Sequence, residues 1–168
     1  MVASEELKEQ KRVIILLVLV AILLTVIVML SIFYIRATHP MAQAKREAVK
    51  IAEEYTELET VDNFYWFNRK ETYFTVTGKD ASGKEIIVIV PEKSGNVTVL
   101  NQEDGISEDQ AKQMVAQSYK EEEIQKANLG LFDGEVVWEI VAKSEEGPLN
   151  YYLITFKEGK EVNVIQNI

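Results

Sequence analysis

The stretch TVTGKDASGKEIIVIV, residues 75–90, decides how this chain is read. It holds Gly78, Gly83 and Lys84 in the order G-x-x-x-x-G-K, the spacing of a loop that cradles nucleotide phosphates. Such a loop needs a helix behind it, whose N-terminus faces the phosphates, and a Ser or Thr after the Lys to hold magnesium. Here Glu85 follows the Lys and repels phosphate. Next comes IIVIV, residues 86–90, a β-branched run ending at Pro91. β-Branched side chains fit a pleated strand. KDASGK therefore reads as a turn between two strands, with Gly83 supplying a positive-φ position.

A second copy supports that reading. A shift of 64 residues carries Lys79, Gly83, Lys93 and Gly95 onto Lys143, Gly147, Lys157 and Gly159, Phe74 onto Trp138, and Val76 onto Ile140. In the copy, Gly78 becomes Ala142 and Gly83-Lys84 becomes Gly147-Pro148, so the phosphate-loop spacing is an accident of a hairpin. Upstream of the first copy, AQAKREAVKIAEEYTEL puts Ala44, Ala48, Ile51, Ala52 and Tyr55 on one helical face. Pro40 is expected near the start of that helix, where its missing N–H costs nothing. Upstream of the second copy, GISEDQAKQMVAQSYK has Ser107 as N-cap with Gln110 three residues on, a capping box, and Ile106 placed to staple onto Ala111. Its apolar face is Ala111, Met114, Val115, Ser118 and Tyr119.

The fold expected is α+β: two tandem units, each a helix laid on an antiparallel sheet. Strands are expected near 63–67, 72–78, 85–91 and 96–101, then 127–132, 135–143, 149–157 and 161–166, with Asp133-Gly134 as a hairpin turn. Units of about 60 residues are marginal alone, so the two are expected to pack together, joined around NQEDG.

From Val13 to Ile35 runs VIILLVLVAILLTVIVMLSIFYI, without charge, Pro or Gly. As a helix it is roughly 35 Å long, enough for a hydrocarbon core of about 30 Å. It is too long for a cleavable leader and ends without a small-residue cleavage site. Residues 1–12 read as a cytoplasmic tail, 13–35 as a single membrane anchor, and 36–168 as lying outside, with Tyr34 suited to the interfacial belt. The positive charges before the span (Lys8, Lys11, Arg12) and after it (Arg36, Lys45, Arg46) give only a weak orientation bias.

The whole chain carries 18 Lys and Arg against 27 Asp and Glu, a net charge of −9. The tail is balanced, so the imbalance lies beyond it. That excludes a basic footprint for nucleic acid and electrostatic adhesion to anionic lipid. With no cysteine, disulfides, thiol catalysis and Cys-zinc sites are excluded. A cysteine-free outer domain suits a Gram-positive surface.

No nucleophile, base and orienting group assemble into a motif, so no enzyme, cofactor or metal site is expected. The lone His39 cannot build a triad. Glu121-Glu122-Glu123 reads as a solvated run, and Asp80-Ala81-Ser82-Gly83 has too few acids for a calcium loop. Asn96-Val97-Thr98 is a chance acceptor triplet. NFYWF, residues 63–67, is more telling. On a strand Phe64 and Trp66 share one face, and Tyr65 and Phe67 the other. Only one face of a one-layer unit meets its helix. The other meets the neighbouring domain, a protein partner, or glycan strands stacked on the rings. Tyr151 and Tyr152 pose the same choice, so Tyr65, Phe67, Tyr151 and Tyr152 are the candidate partner surface. Trp138 and Phe156 read as core, as do the Met and Ile positions of both helices.

GISEDQAK at 105–112, WEIVAK at 138–143, NYYLITF at 150–156 and KEGK at 157–160 resemble the PepSY or cystatin-like module. The whole layout resembles the TseB (YpmB) family of Gram-positive bacteria. It shares the short tail, the single anchor, an Ala-rich helix, V-D-N at 61–63, K-E-T-Y-F at 70–74, V-P-E at 90–92 and G-I-S-E-D at 105–109. The aromatics at 64–67 and the acidic run at 121–123 depart from that pattern. The resemblance implies a cystatin-like domain over 36–103 and a PepSY-like domain over 104–168. It also implies an extracytoplasmic regulator of cell-wall elongation that binds a penicillin-binding protein. Related PepSY modules restrain peptidases, so a membrane-tethered peptidase modulator is the alternative.

Overall fold

The computed structural model describes residues 2–93, 95–119, 123–143 and 147–166, and the side chains of these except 2–9 and 36–39. The opening stretch is a hairpin. Strand β2 (Thr72–Asp80) and strand β3 (Glu85–Pro91) pair antiparallel, from Tyr73↔Pro91 to Lys79↔Glu85. In the turn, Asp80 Oδ1 accepts from the Ser82 amide at 2.9 Å, the Ser82 hydroxyl at 2.7 Å and the Lys84 amide at 2.9 Å. The amides that would hold a phosphate already hold a carboxylate, and Gly83 takes φ +82°. Asp133 (φ 52°) and Gly134 (φ 82°) form the second expected turn, both left-handed as a tight hairpin requires.

Two four-stranded antiparallel sheets result. Sheet A orders β1 (Leu58–Asn68), β2, β3 and β4 (Thr98–Asn101). Sheet B orders β5 (Glu123–Phe132), β6 (Glu135–Lys143), β7 (Leu149–Thr155) and β8 (Glu161–Ile165). β1 starts five residues before the expected strand and β5 four. Each is the outermost strand of its sheet, has a register shift, and begins with exposed polar residues (Glu59, Thr60 and Asp62; Gln125 and Lys126). An edge strand with polar side chains lacks the apolar alternation that reveals interior strands.

The first helix, α1, runs Val2–Tyr55, with Pro40 inside it rather than near its start. The missing N–H removes one helical bond, a cost of about 3 kcal/mol, against a helix propagating on both sides. The chain divides into two compact units, Met1–Gln43 and Ala44–Ile168. In the first, side chains 10–35 are all exposed, and the helix is long and apolar enough to cross a membrane.

In the second unit, Ala44, Ala48 and Ala52 are buried. Ala48 and Ala52 pack on Val76, Ile86, Val88 and Val90 of sheet A. Small residues let the helix lie close to the sheet. Ile51, expected on that face, is half-buried, and Tyr55 is exposed. Helix α2 (Glu108–Tyr119) is capped as expected: the Gln110 amide donates to Ser107 Oγ at 3.3 Å, and the Ser107 amide to Gln110 Oε1 at 2.8 Å. It buries Ala111 and Val115, while Met114 is 36% exposed rather than core.

The two halves share a core. Tyr65, Ile87 and Ile89 of sheet A join Ala111, Val115, Leu129, Trp138, Ile140 and Phe156 in one cluster on the α2 side of sheet B. Phe67 joins Val137 and Leu153 on its rear side. Sheet A thus sits across the outer edge of β5, and the Thr75 hydroxyl donates to the Leu129 carbonyl at 2.7 Å.

Gly130 makes room for this, because a Cβ there would lie 2.3 Å from the Phe67 ring. Gly130→Ala is expected to cost about 1–3 kcal/mol through overpacking, and Phe67→Ala alone about 3–5 kcal/mol. Because the two sites touch, the double variant should lose less than the sum. Denaturant unfolding of the three variants measures the coupling.

A candidate interaction surface

The structure places the four candidate aromatics differently. Tyr65 is 8% exposed, its ring edge-on to Trp138 at 5.5 Å, its hydroxyl donating to Glu108 Oε2 at 2.6 Å. Burial first, then the Glu108 bond and the Glu108 and Asp109 charges, push the Tyr65 hydroxyl well above the usual tyrosine range. Phe67 is fully buried on Gly130. Tyr152 is also fully buried, with Tyr119 against it at 4.2 Å and Gln166 Nε2 donating to its hydroxyl at 3.3 Å. Tyr65, Phe67 and Tyr152 therefore do not form a partner surface. They fill the shared core, because each lies on a sheet face that a helix or the other half covers. Tyr151 remains half-exposed, with the Arg69 guanidinium 4.9 Å above its ring.

On the other face of β1, Phe64 stacks on Phe74 at 6.1 Å and Trp66 meets Phe74 edge-on at 5.2 Å, all three half-buried. Phe74 was legible from the repeat, which pairs it with Trp138. Arg69 was not, because nothing local distinguishes one Arg after a strand.

Arg69 is the centre of a polar cluster between the halves. Its Nε donates to Glu139 Oε2, and Asn128 Nδ2 donates to Glu139 Oε1 at 2.9 Å. The Glu139 and Asn128 residues are 6% and 4% exposed. This carboxylate is held by a guanidinium that also stacks on Tyr151, so its chemistry is that of a fixed ion pair. At the rim, Lys70 Nζ pairs with Asp133 at 2.7 Å.

The other clefts among the described residues are shallow. The roomiest of the described clefts, about 640 Å³, has Leu100, Val136 and Phe156 as its floor and Asp104, Glu135 and Lys157 at its edge. Among the described residues no group of three His, Cys, Asp or Glu could hold a metal ion. The His39 side chain, Glu121 and Glu122 lie outside the described residues, and Glu123 is an exposed residue of β5.

Known proteins resemble this chain in sequence and fold. The cell wall elongation regulator TseB-like domain matches residues 47–91, the last turns of α1 with β1 to β3. The probable cell wall elongation regulator TseB of Bacillus subtilis (strain 168) is 27% identical over 149 residues, covering 84% of this chain and 91% of that protein. The solved structure of the YpmB protein from Bacillus subtilis agrees at TM-score 0.65 and 27% identity, over 72% of this chain and 95% of that one. In sequence and in fold the chain is similar to the TseB (YpmB) family. The TseB-like match contains the whole aromatic segment 64–67, together with Arg69 and Phe74.

Two predictions follow from the contacts between the halves. Removing one partner of the buried pair, as in Glu139→Ala, should destabilise by about 3–5 kcal/mol by leaving Arg69 uncompensated; Arg69→Met with Glu139→Leu should cost far less. Chemical denaturation of both variants checks the difference. The second concerns alkali. Tyr65 is raised, and Tyr119, through burial and its bond to Glu161, is raised to about 12 from the usual 10.0. A folded-state pKa above the unfolded value stabilises fully below the unfolded value and is lost as pH rises through the folded one. Melting temperature should hold to about pH 10 and then fall, and Tyr65→Phe with Tyr119→Phe should flatten that fall.

Proposed function

We propose that this chain is a membrane-anchored, extracytoplasmic accessory of cell-wall elongation that works by binding a penicillin-binding protein. The observation carrying the proposal is a likeness: the relative aligned over 84% of the chain, at 27% identity, is named a probable cell wall elongation regulator. The apolar stretch Val13–Ile35 supports an anchor, with residues 1–12 in the cytoplasm and the two helix-on-sheet halves, PepSY-like in layout, outside. The buried ion pair and packed aromatics support a rigid binding scaffold, since the titratable groups between the halves are already committed to one another.

The absence of cysteine makes topology directly readable. Lys79→Cys, at an exposed position of β2, should react with a membrane-impermeant maleimide on intact cells, and Glu9→Cys should react only after lysis. The reverse pattern removes the topology. For the partner, tagged full chain is solubilised from membranes and co-purifying proteins are labelled with fluorescent penicillin. A labelled synthase and altered cell shape on deletion are expected. Normal elongation with no labelled protein retained would sink the proposal.

A further inference from the structure

The internal repeat exposes one unfinished surface. A shift of 64 residues carries Thr75, Thr77, Ile87 and Ile89 of sheet A onto Glu139, Val141, Tyr151 and Leu153 of sheet B. The cross-strand pairs correspond too: Thr75↔Ile89 to Glu139↔Leu153, and Thr77↔Ile87 to Val141↔Tyr151. In sheet A this face is consumed. Thr75, Ile87 and Ile89 are each 0% exposed, buried by the other half. In sheet B, among the described residues, Phe67 and Arg69 cover one end of the counterpart face.

Past Arg69, among the described residues, the face is partly exposed around a buried Val141. Lys126↔Val141↔Tyr151↔Ile165 form one cross-strand row and Lys143↔Leu149 the next. Paired residues of antiparallel strands point to the same side. Leu149 is 36% exposed, Tyr151 and Ile165 are half-buried, and both lysines are exposed. In a chain of net charge −9, this end sets Lys126 and Lys143 around apolar side chains, with Glu123, opposite Lys143, as its acid among the described residues.

We propose that Leu149, Tyr151 and Ile165, flanked by Lys126 and Lys143, form a docking face for a partner protein that presents carboxylates beside an apolar anchor. Two features select that occupant. Lys126 and Lys143 attract carboxylates in a chain whose net charge is −9. The face also continues the interface already built by Phe67 and Arg69, so a partner extends an existing apolar strip. The proposal rests on the wall-synthesis reading, which makes the partner a penicillin-binding protein.

The test uses the full chain in cells, with a photoreactive residue at Leu149 or, as control, at Val99, which is 45% exposed on sheet A. Crosslinked membranes are labelled with fluorescent penicillin, and the tagged chain is purified with and without crosslinking. A penicillin-labelled adduct from position 149 and not from 99 is expected, falling about ten-fold or more in Lys126→Glu with Lys143→Glu. Thermal melts of that variant confirm that it folds, and Leu149→Asp, tested alongside, should give the same loss of co-purification. Co-purification of the synthase unchanged by these substitutions, with no adduct at 149, overturns the face and leaves the wall-synthesis reading intact. An adduct between two copies of this chain overturns it in favour of self-association. If no labelled synthase accompanies the chain by either route, the wall-synthesis reading falls and takes this partner with it.

Discussion

The outer edge of a sheet carries amides and carbonyls that must be paired, wetted or covered. In this chain the edge of β5 is covered by the inner face of sheet A, with the Thr75 hydroxyl donating to the Leu129 carbonyl. Much else depends on that seat. Gly130 lacks a side chain where Phe67 must lie, Tyr65 reaches Trp138 and Glu108, and Arg69 is brought over Glu139 and Tyr151. Neither half, at about 60 residues, buries enough surface to be comfortable alone. Together they make one core with contributions from both sheets and α2.

The same arrangement decides which aromatics can meet another molecule. Alternation along β1 separates Tyr65 and Phe67 from Phe64 and Trp66, but alternation does not say which side is closed. Straddling the β5 edge closes the Tyr65 and Phe67 side from both directions. It leaves Phe64, Trp66 and Phe74 half-covered beside α1, and leaves the far end of sheet B's rear face partly exposed. Packing the first copy on the second buries this face in the first copy, while the equivalent face of the second keeps Leu149, Tyr151 and Ile165 partly exposed.

Much of the fold was legible. The β-branched run at 86–90, the Asp133-Gly134 turn, and the Ser107 and Gln110 capping box are short-range signals, and each became the element it announced. Shifts of 64 residues landed on equivalent cross-strand pairs, because a repeated register repeats side-chain spacing. The early parts of β1 and β5 were missed because edge strands with polar side chains look like loops. Local rules place Pro40 at a helix start, but α1 runs through it because the helix propagates on both sides. The interaction surface was legible only as a set of rings. Three of its four members, Tyr65, Phe67 and Tyr152, turned out to be core.

The sequence by itself determined what depends on neighbours in the chain: an uncharged apolar helix over 13–35, two helix-and-sheet repeats, their turns and caps, and an acidic surface without cysteine. Hydrophobic period, turn residues and charge all act over a few residues, so they can be read in one dimension. Only the tertiary structure decided how the repeats meet. That choice depends on shape over long separations: a glycine at 130 accepting a ring from 67, a hydroxyl at 75 reaching a carbonyl at 129, a guanidinium at 69 reaching a carboxylate at 139. No local pattern couples such positions, and that coupling sorts buried aromatics from those left for a partner.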